Sequence, residues 1–262
     1  GLAVLFFGKL IVSYREEKGH AAVQKALLNK SIKLCLWCCL LFIAIPFGIY
    51  FTAFLPLTTL PHNRYDVFGR FIAYQTHMYN YHSTLQATHP FESPWYQWPF
   101  DIRNVWYYGN YSADSEGHIR TISVLGNPLF FWACVPATVY AFVRAVKRHS
   151  RTALICVIGF LSAYLPWVLV PRCTFIYHYF TAVPFILIAF LIAYQRLEET
   201  ASLRRVVFTK GAVTLTVGRI LLLACVLVHI LMFIAFYPVL TGTLTTQNYA
   251  NALEWLPSWF FI

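Results

Sequence analysis

The chain has 262 residues, 59% of them hydrophobic and only 11% charged, with a mean hydropathy of +0.58. A soluble domain carries about 25% charged residues, so disordered, collagenous and ordinary soluble-enzyme classes are excluded and the composition is that of a protein dissolved in lipid. The net charge of +10 would suit nucleic acid as a partner, but its placement along the chain argues against that.

Residues 1–14 are apolar apart from Lys9 and have no charged leader ahead of them. They read as the end of a membrane helix that starts before Gly1. Residues 15–34 follow as a basic connecting loop. A bilayer core of roughly 30 Å needs about 20 apolar residues in a helix, and five stretches qualify: 35–60, 121–143, 152–171, 176–195 and 220–240. None contains Asp, Glu, Lys or Arg. The predicted fold class is therefore an all-α integral membrane protein, a polytopic helical bundle. Residues 61–120 form a long connecting loop, 121–240 a four-helix C-terminal transmembrane region, and 241–262 a tail.

The connectors sort by charge. Those at 15–33, 144–151 and 196–219 hold fourteen Lys and Arg; those at 61–120, 172–175 and 241–262 hold five. The bias alternates without conflict, so the basic connectors are expected in the cytoplasm and the long loop and C-terminus outside. The +10 is mainly a topology signal, with the anionic lipid bilayer as its natural partner and no nucleic acid.

Cysteine adds little. Six of the seven lie inside the expected spans and read as small apolar packers. Cys35 and Cys38 form a CxxC with no second pair of metal ligands. Asn110-Tyr111-Ser112 is a glycosylation sequon on the outer side.

The outer loop is unusual for a connector. It holds five of the nine histidines, five of the ten acidic residues and fifteen aromatics. From Asp66 to Thr88 the spacing predicts a helix with Arg70, Tyr74, His77 and Tyr81 on one face and Phe68, Phe71, Ile72, Met78 and Tyr79 on another. Such a helix suits the membrane interface. The run from His89 to Pro99, HPFESPWYQWP, follows; its prolines break the helix. Trp95, Tyr96 and Trp98 there would serve an aromatic belt or stack against sugar rings. His77, His82 and His89 match no zinc spacing, and no metal ligand is assigned. A second cluster, Arg172 followed by Phe175-Ile176-Tyr177-His178-Tyr179-Phe180, puts one arginine at the outer mouth of a span. Arg172 can hold a phosphate by bidentate, charge-assisted bonds, or reach to lipid headgroups. His229, in mid-span, is expected to bond a neighbouring helix.

These pieces, with Tyr81-His82-Ser83 and Gly126-Asn127-Pro128, resemble the C-terminal half of the protein O-mannosyltransferases, from about Ile32 onward. The resemblance implies a glycosyltransferase of the GT-C type that moves mannose from a polyprenyl-phosphate mannose donor to Ser or Thr hydroxyls of secreted or membrane protein acceptors, with inversion. It implies a donor-phosphate site of Arg172, Tyr177, His178 and Tyr179, and a substrate cleft shaped by His82, His89, Glu92, Trp95, Tyr96 and Trp98. The family's catalytic carboxylate pair falls before Gly1, so no catalytic residue is assigned and the 262 residues alone are expected to be inactive. Sixty residues cannot hold the β-trefoil that eukaryotic members insert in this loop, which points to the bacterial type and the plasma membrane. No cofactor is firmly implied, and a divalent metal is left open. Another GT-C transferase of a polyprenyl-linked sugar, a flippase for a lipid-linked sugar and a structural membrane subunit are the competing readings. A flippase would place ionisable groups in mid-span, where only His178 and His229 qualify.

Overall fold

Gly19, at a φ of +102°, turns the chain between α1 (Leu2–Glu16) and α2 (Ala21–Cys39), a backbone state open to glycine at little cost. The computed structural model describes residues 1–59, 65–110, 117–211 and 213–262. His62, and Tyr111 and Ser112 of the sequon, lie outside the described residues. The chain divides into two compact units, Leu2–Gln86 and Ala87–Ile262 (with Gly1).

In the first unit the basic connector expected at 15–34 is largely helical: α2 begins at Ala21 and runs through a π-turn at Leu40–Ala44 into α3 (Ile45–Thr52). Residues 21–34 contain Ala, Leu, Lys and Gln, all good helix formers with no breaker among them. The resulting 37-residue helical run, Ala21–Leu57, is about 55 Å long. That exceeds the hydrocarbon core, so its lysine-bearing first turns project beyond it. The π-turn precedes Pro46, whose ring would otherwise clash with the carbonyl of residue 42. Helix α4 (Val67–Thr84) starts where Asp66 accepts the Gly69 N–H at 2.7 Å. It stops four residues short of the expected Thr88. Of its apolar face only Phe71 is buried, against Phe47, Tyr50, Phe51 and Phe54. Phe68, Ile72, Met78 and Tyr79 stay exposed, as an interfacial helix requires.

The second unit holds four further apolar helical runs: α5 (Pro128–Lys147), α6 (Arg151–Tyr164) extended by a 3₁₀ turn to Leu169, a 3₁₀ turn at Ile176–Ala182 leading into α7 (Val183–Glu198), and α9 (Val217–Thr241). With Ala21–Leu57 these make five helices long and apolar enough to cross a bilayer. The chain is a multi-pass membrane protein. The span expected from 121 starts later, at Pro128. Thr121-Ile122-Ser123-Val124 is β-branched and alternating, and it forms the end of β2 (His118–Val124). Asn127 then caps α5 by accepting the Phe130 N–H at 3.2 Å, with Pro128 as the first helical residue, the arrangement that starts helices best.

Small residues set the packing of α5, α6 and α7. Ala141, Ala145, Ala153, Cys156 and Ala189 are buried in one cluster, which lets the backbones approach closely. Gly159 lies under the Phe185 ring, where an added Cβ would collide.

Short β elements complete the helical fold. Strand β1 (Val105–Asn110) pairs antiparallel with β2, and β2 with β5 (Thr245–Thr246). A separate hairpin, β3 (Val206–Lys210) and β4 (Val213–Thr216), joins the four-residue helix α8 (Ala201–Arg204) to α9. The segment expected as a tail is folded: after Gly242 ends α9 at a φ of +72°, α10 (Gln247–Ala252) leads to Trp259 and Phe261, both buried against Phe236 of α9. Phe260 exchanges backbone bonds with the Asn104 amide, donating to Oδ1 at 2.9 Å and accepting from Nδ2.

Candidate functional site

Because α5, α6 and α7 run alternately up and down, the 165–178 segment and the 89–127 segment reach the same end of the bundle. Here the two sequence clusters join. Ser93 N–H donates to the Thr174 carbonyl at 2.8 Å, and Thr174 Oγ1 returns a bond to the Ser93 carbonyl at 2.9 Å. His89 sets its ring edge-on to Phe175 at 5.2 Å.

The loop holds its own shape. His89 N–H donates to Glu92 Oε2 at 3.3 Å and Phe91 N–H to His89 Nδ1 at 3.2 Å. Arg103 donates to the carbonyls of Pro90 and Glu92. Glu92 thus closes the turn, while the His89 ring remains exposed.

Trp98 corrects an expectation. It is 1% exposed, its indole N–H donates to Ser93 O and Oγ, and it packs near Tyr164, Trp167 and His178. It is a core residue and offers no stacking face to a sugar. The cause is local: residues 95–100 form a 3₁₀ turn, where side chains three apart share a face, so Trp95 and Trp98 turn inward and Tyr96 outward. Trp95 is half-buried with its carbonyl held by Tyr164 Oη at 2.7 Å; Tyr96 is exposed.

The same period acts on the second cluster. Ile176, Tyr179 and Ala182 are all buried along the 3₁₀ turn. Tyr179, expected at the phosphate site, instead packs against Phe131 and Tyr164 in the core. Tyr177 is exposed and stacks on Phe175 at 5.3 Å. His178 is half-buried, with its ring centroid 4.0 Å from that of Trp167 and 4.5 Å from that of Tyr177. Its Nδ1 lies 3.1 Å from Phe175 N and 2.9 Å from Phe175 O, so the backbone satisfies that nitrogen in either tautomer and leaves Nε2 for another partner. Arg172 is half-buried, and its charge reaches Tyr177 and His178. Among the described residues its guanidinium has no hydrogen-bond or ion-pair partner. Of the expected site residues in this unit, Arg172, Tyr177, His178, His89, Tyr96 and Trp95 keep some side-chain exposure.

His82 belongs to the first unit, where it is exposed on α4 with its ring edge-on to Tyr81. Among the described residues the His229 side chain bonds no neighbouring helix. Its Nδ1 lies 2.6 Å from Cys225 O in its own helix, and Nε2 is buried without a partner among the described residues. It lines an apolar cavity of about 460 Å³ with Phe130, Phe190 and Phe233. Among the described residues no group of three or more His, Cys, Asp or Glu gathers to hold a metal.

Asp101, which the sequence reading passed over, supports the loop from below. It is fully buried at a φ of +52°. Its Oδ1 accepts the Gly126 N–H at 3.1 Å, its carbonyl accepts the Trp259 indole N–H at 2.7 Å, and Oδ2 has no partner among the described residues. Burial raises its pKa from 3.8 to about 7, against a lowering by the Gly126 N–H. The folded pKa lies above the unfolded one, so the folded chain binds the extra proton and stability falls as pH rises from about 4 to 7. At a full shift the loss is on the order of 4 kcal/mol. The melting temperature in detergent is expected to fall between pH 5 and pH 8, and Asp101→Asn is expected to flatten that slope. Equal slopes in both proteins would contradict the assignment.

Fold and site together define a polytopic membrane protein of the GT-C architecture, with an aromatic-lined arginine at the mouth of its spans. The family model for the C-terminal four-transmembrane region of protein O-mannosyltransferase matches residues 67–259. The chain belongs to the protein O-mannosyltransferase family. It is 25% identical over 195 residues to the polyprenol-phosphate-mannose–protein mannosyltransferase of Mycobacterium tuberculosis H37Rv, covering 71% of this chain and 36% of the relative. With the enzyme of the same description from Mycolicibacterium smegmatis it shares 25% over 242 residues, 82% of this chain and 45% of the relative. The chain thus spans between about a third and a half of the length of these two curated relatives. In the Saccharomyces cerevisiae protein O-mannosyltransferase Pmt1–Pmt2 complex bound to the sugar donor, 28% of one chain superposes on 77% of this one with a TM-score of 0.58 and 21% identity, a likeness of fold.

Proposed function

We propose that the protein transfers mannose from polyprenyl-phosphate mannose to Ser or Thr hydroxyls of exported proteins, at the outer face of the plasma membrane. The observation that carries this reading is Arg172: among the described residues its guanidinium has no partner, its charge reaches Tyr177 and His178, and its segment is tied to the aromatic loop through Ser93 and Thr174. Family membership and the names of the relatives supply the donor class. The fourteen-to-five division of basic residues supports the orientation.

The reaction is a displacement. The acceptor oxygen bonds to C1 of mannose while the C1–O bond to phosphate breaks, its electron pair passing to the phosphate. Arg172 stabilises the charge that grows on the phosphate oxygens, and Tyr177 and His178 Nε2 are placed to add donors. No residue of this chain is assigned as the base that takes the acceptor proton. His89, Tyr96 and Trp95 border the space beside the phosphate, and Glu92 shapes the turn that presents them.

Binding tests this reading. Polyprenyl phosphate, added without sugar, is expected to raise the melting temperature of the full-length protein in detergent, and to do so far less in Arg172→Ala. An equal shift in both proteins would remove Arg172 from the phosphate site.

A further inference from the structure

The link between α7 and α9 carries an exposed apolar surface that no role described so far uses. The base of the β3–β4 hairpin is fixed to the bundle. Val217 N–H donates to Arg205 O at 3.0 Å, and the Arg219 guanidinium donates to Thr214 O at 2.6 Å. A Cβ on Gly218 would come within 3.3 Å of Leu203 O. Above that base every residue of β3 is exposed, with Val206, Val207 and Phe208 each more than half so.

Two-stranded hairpins are marginal in water, and three consecutive exposed apolar residues call for a covering surface. Charge says which. Arg204, Arg205, Lys210 and Arg219 lie between residues 200 and 219, where there is no Asp or Glu. Of the two acids just before, Glu199 is paired with Arg196 at 2.7 Å, and Glu198 and Glu199 border one small cavity with Arg204, which leaves Arg205 and Lys210 as the cations away from them. Position says the same: the hairpin leaves α7 at Glu198 and enters α9 at Val217, so two membrane spans hold it at the edge of the hydrocarbon.

We propose that β3–β4 lies on the bilayer, with the exposed face of β3 that carries Phe208 entering the acyl boundary and Arg204, Arg205 and Lys210 holding the phosphates of anionic lipids. The inference rests on α7 and α9 spanning the membrane and is independent of the transfer reaction. To test it, p-benzoylphenylalanine is placed at position 208 of the full chain in nanodiscs of equal phosphatidylglycerol and phosphatidylcholine. After illumination, adducts are weighed by mass spectrometry. Phosphatidylglycerol adducts are expected in excess of their bilayer share by about fivefold or more. That excess should disappear in an Arg204→Ala, Arg205→Ala, Lys210→Ala variant. The ratio in the parent chain decides the matter even if the triple variant fails to fold. Adducts in bilayer proportion, no lipid adduct, or cross-links to protein would each overturn the proposal.

Discussion

Replacing Arg172 by alanine is expected to lower kcat/KM for mannosyl transfer by about 100-fold or more, the scale on which a positioned donor to a developing anion acts. The fold should survive. The guanidinium has no bond to a described residue, and the segment around it is held by Thr174 Oγ1 and by the backbone of Ser93. Arg172→Lys keeps the charge but loses the bidentate fork, so an intermediate loss is expected, about tenfold. Initial rates with polyprenyl-phosphate mannose, beside melting curves of each variant, make the comparison. Turnover within about threefold of the parent for Arg172→Ala would remove this residue from the chemistry.

Trp98→Ala is expected to be the most damaging change to the architecture of the site. It empties a position that is 1% exposed and breaks the indole bonds to Ser93. A buried Trp→Ala change costs about 3–5 kcal/mol. The cavity would open under Trp167 and His178, so activity should fall with stability. Trp98→Phe separates the two contributions. It fills much of the volume and loses only the N–H, while Ser93 O keeps its bond from Thr174 Oγ1. That variant should fold and retain measurable transfer. If Trp98→Ala melted with the parent protein, the loop would not be anchored through this ring.

The spans and their charge alternation were readable because lipid imposes a composition: about 20 apolar residues, with charges left to the connectors. Thr121–Val124 was misread as span because a β-branched apolar run fits either element until Gly126-Asn127-Pro128 is recognised as a helix start. The burial of Trp98 and Tyr179 was harder to see. Both sit on 3₁₀ turns, and the signal was the three-residue spacing of Trp95 with Trp98 and of Ile176 with Tyr179 and Ala182. A helical period of 3.6 hides it. The folded C-terminus carried a two-residue alternation, Trp259 and Phe261 inward with Phe260 outward, too short to stand out. Asp101 could not be found by pattern. A lone acid in an aromatic loop reads as solvated, and only the fold shows it enclosed between Gly126 and Trp259.

The central claim is tested most directly by a transfer assay on the full-length protein in detergent, with a panel of polyprenyl-phosphate sugars and a peptide rich in Ser and Thr, the product scored by mass spectrometry. The account predicts one hexose added to Ser or Thr, from the mannose donor in preference to the others, and lost in Arg172→Ala. Transfer from a different polyprenyl-linked sugar, or no transfer to the peptide by a folded protein given its mannose donor, would contradict it.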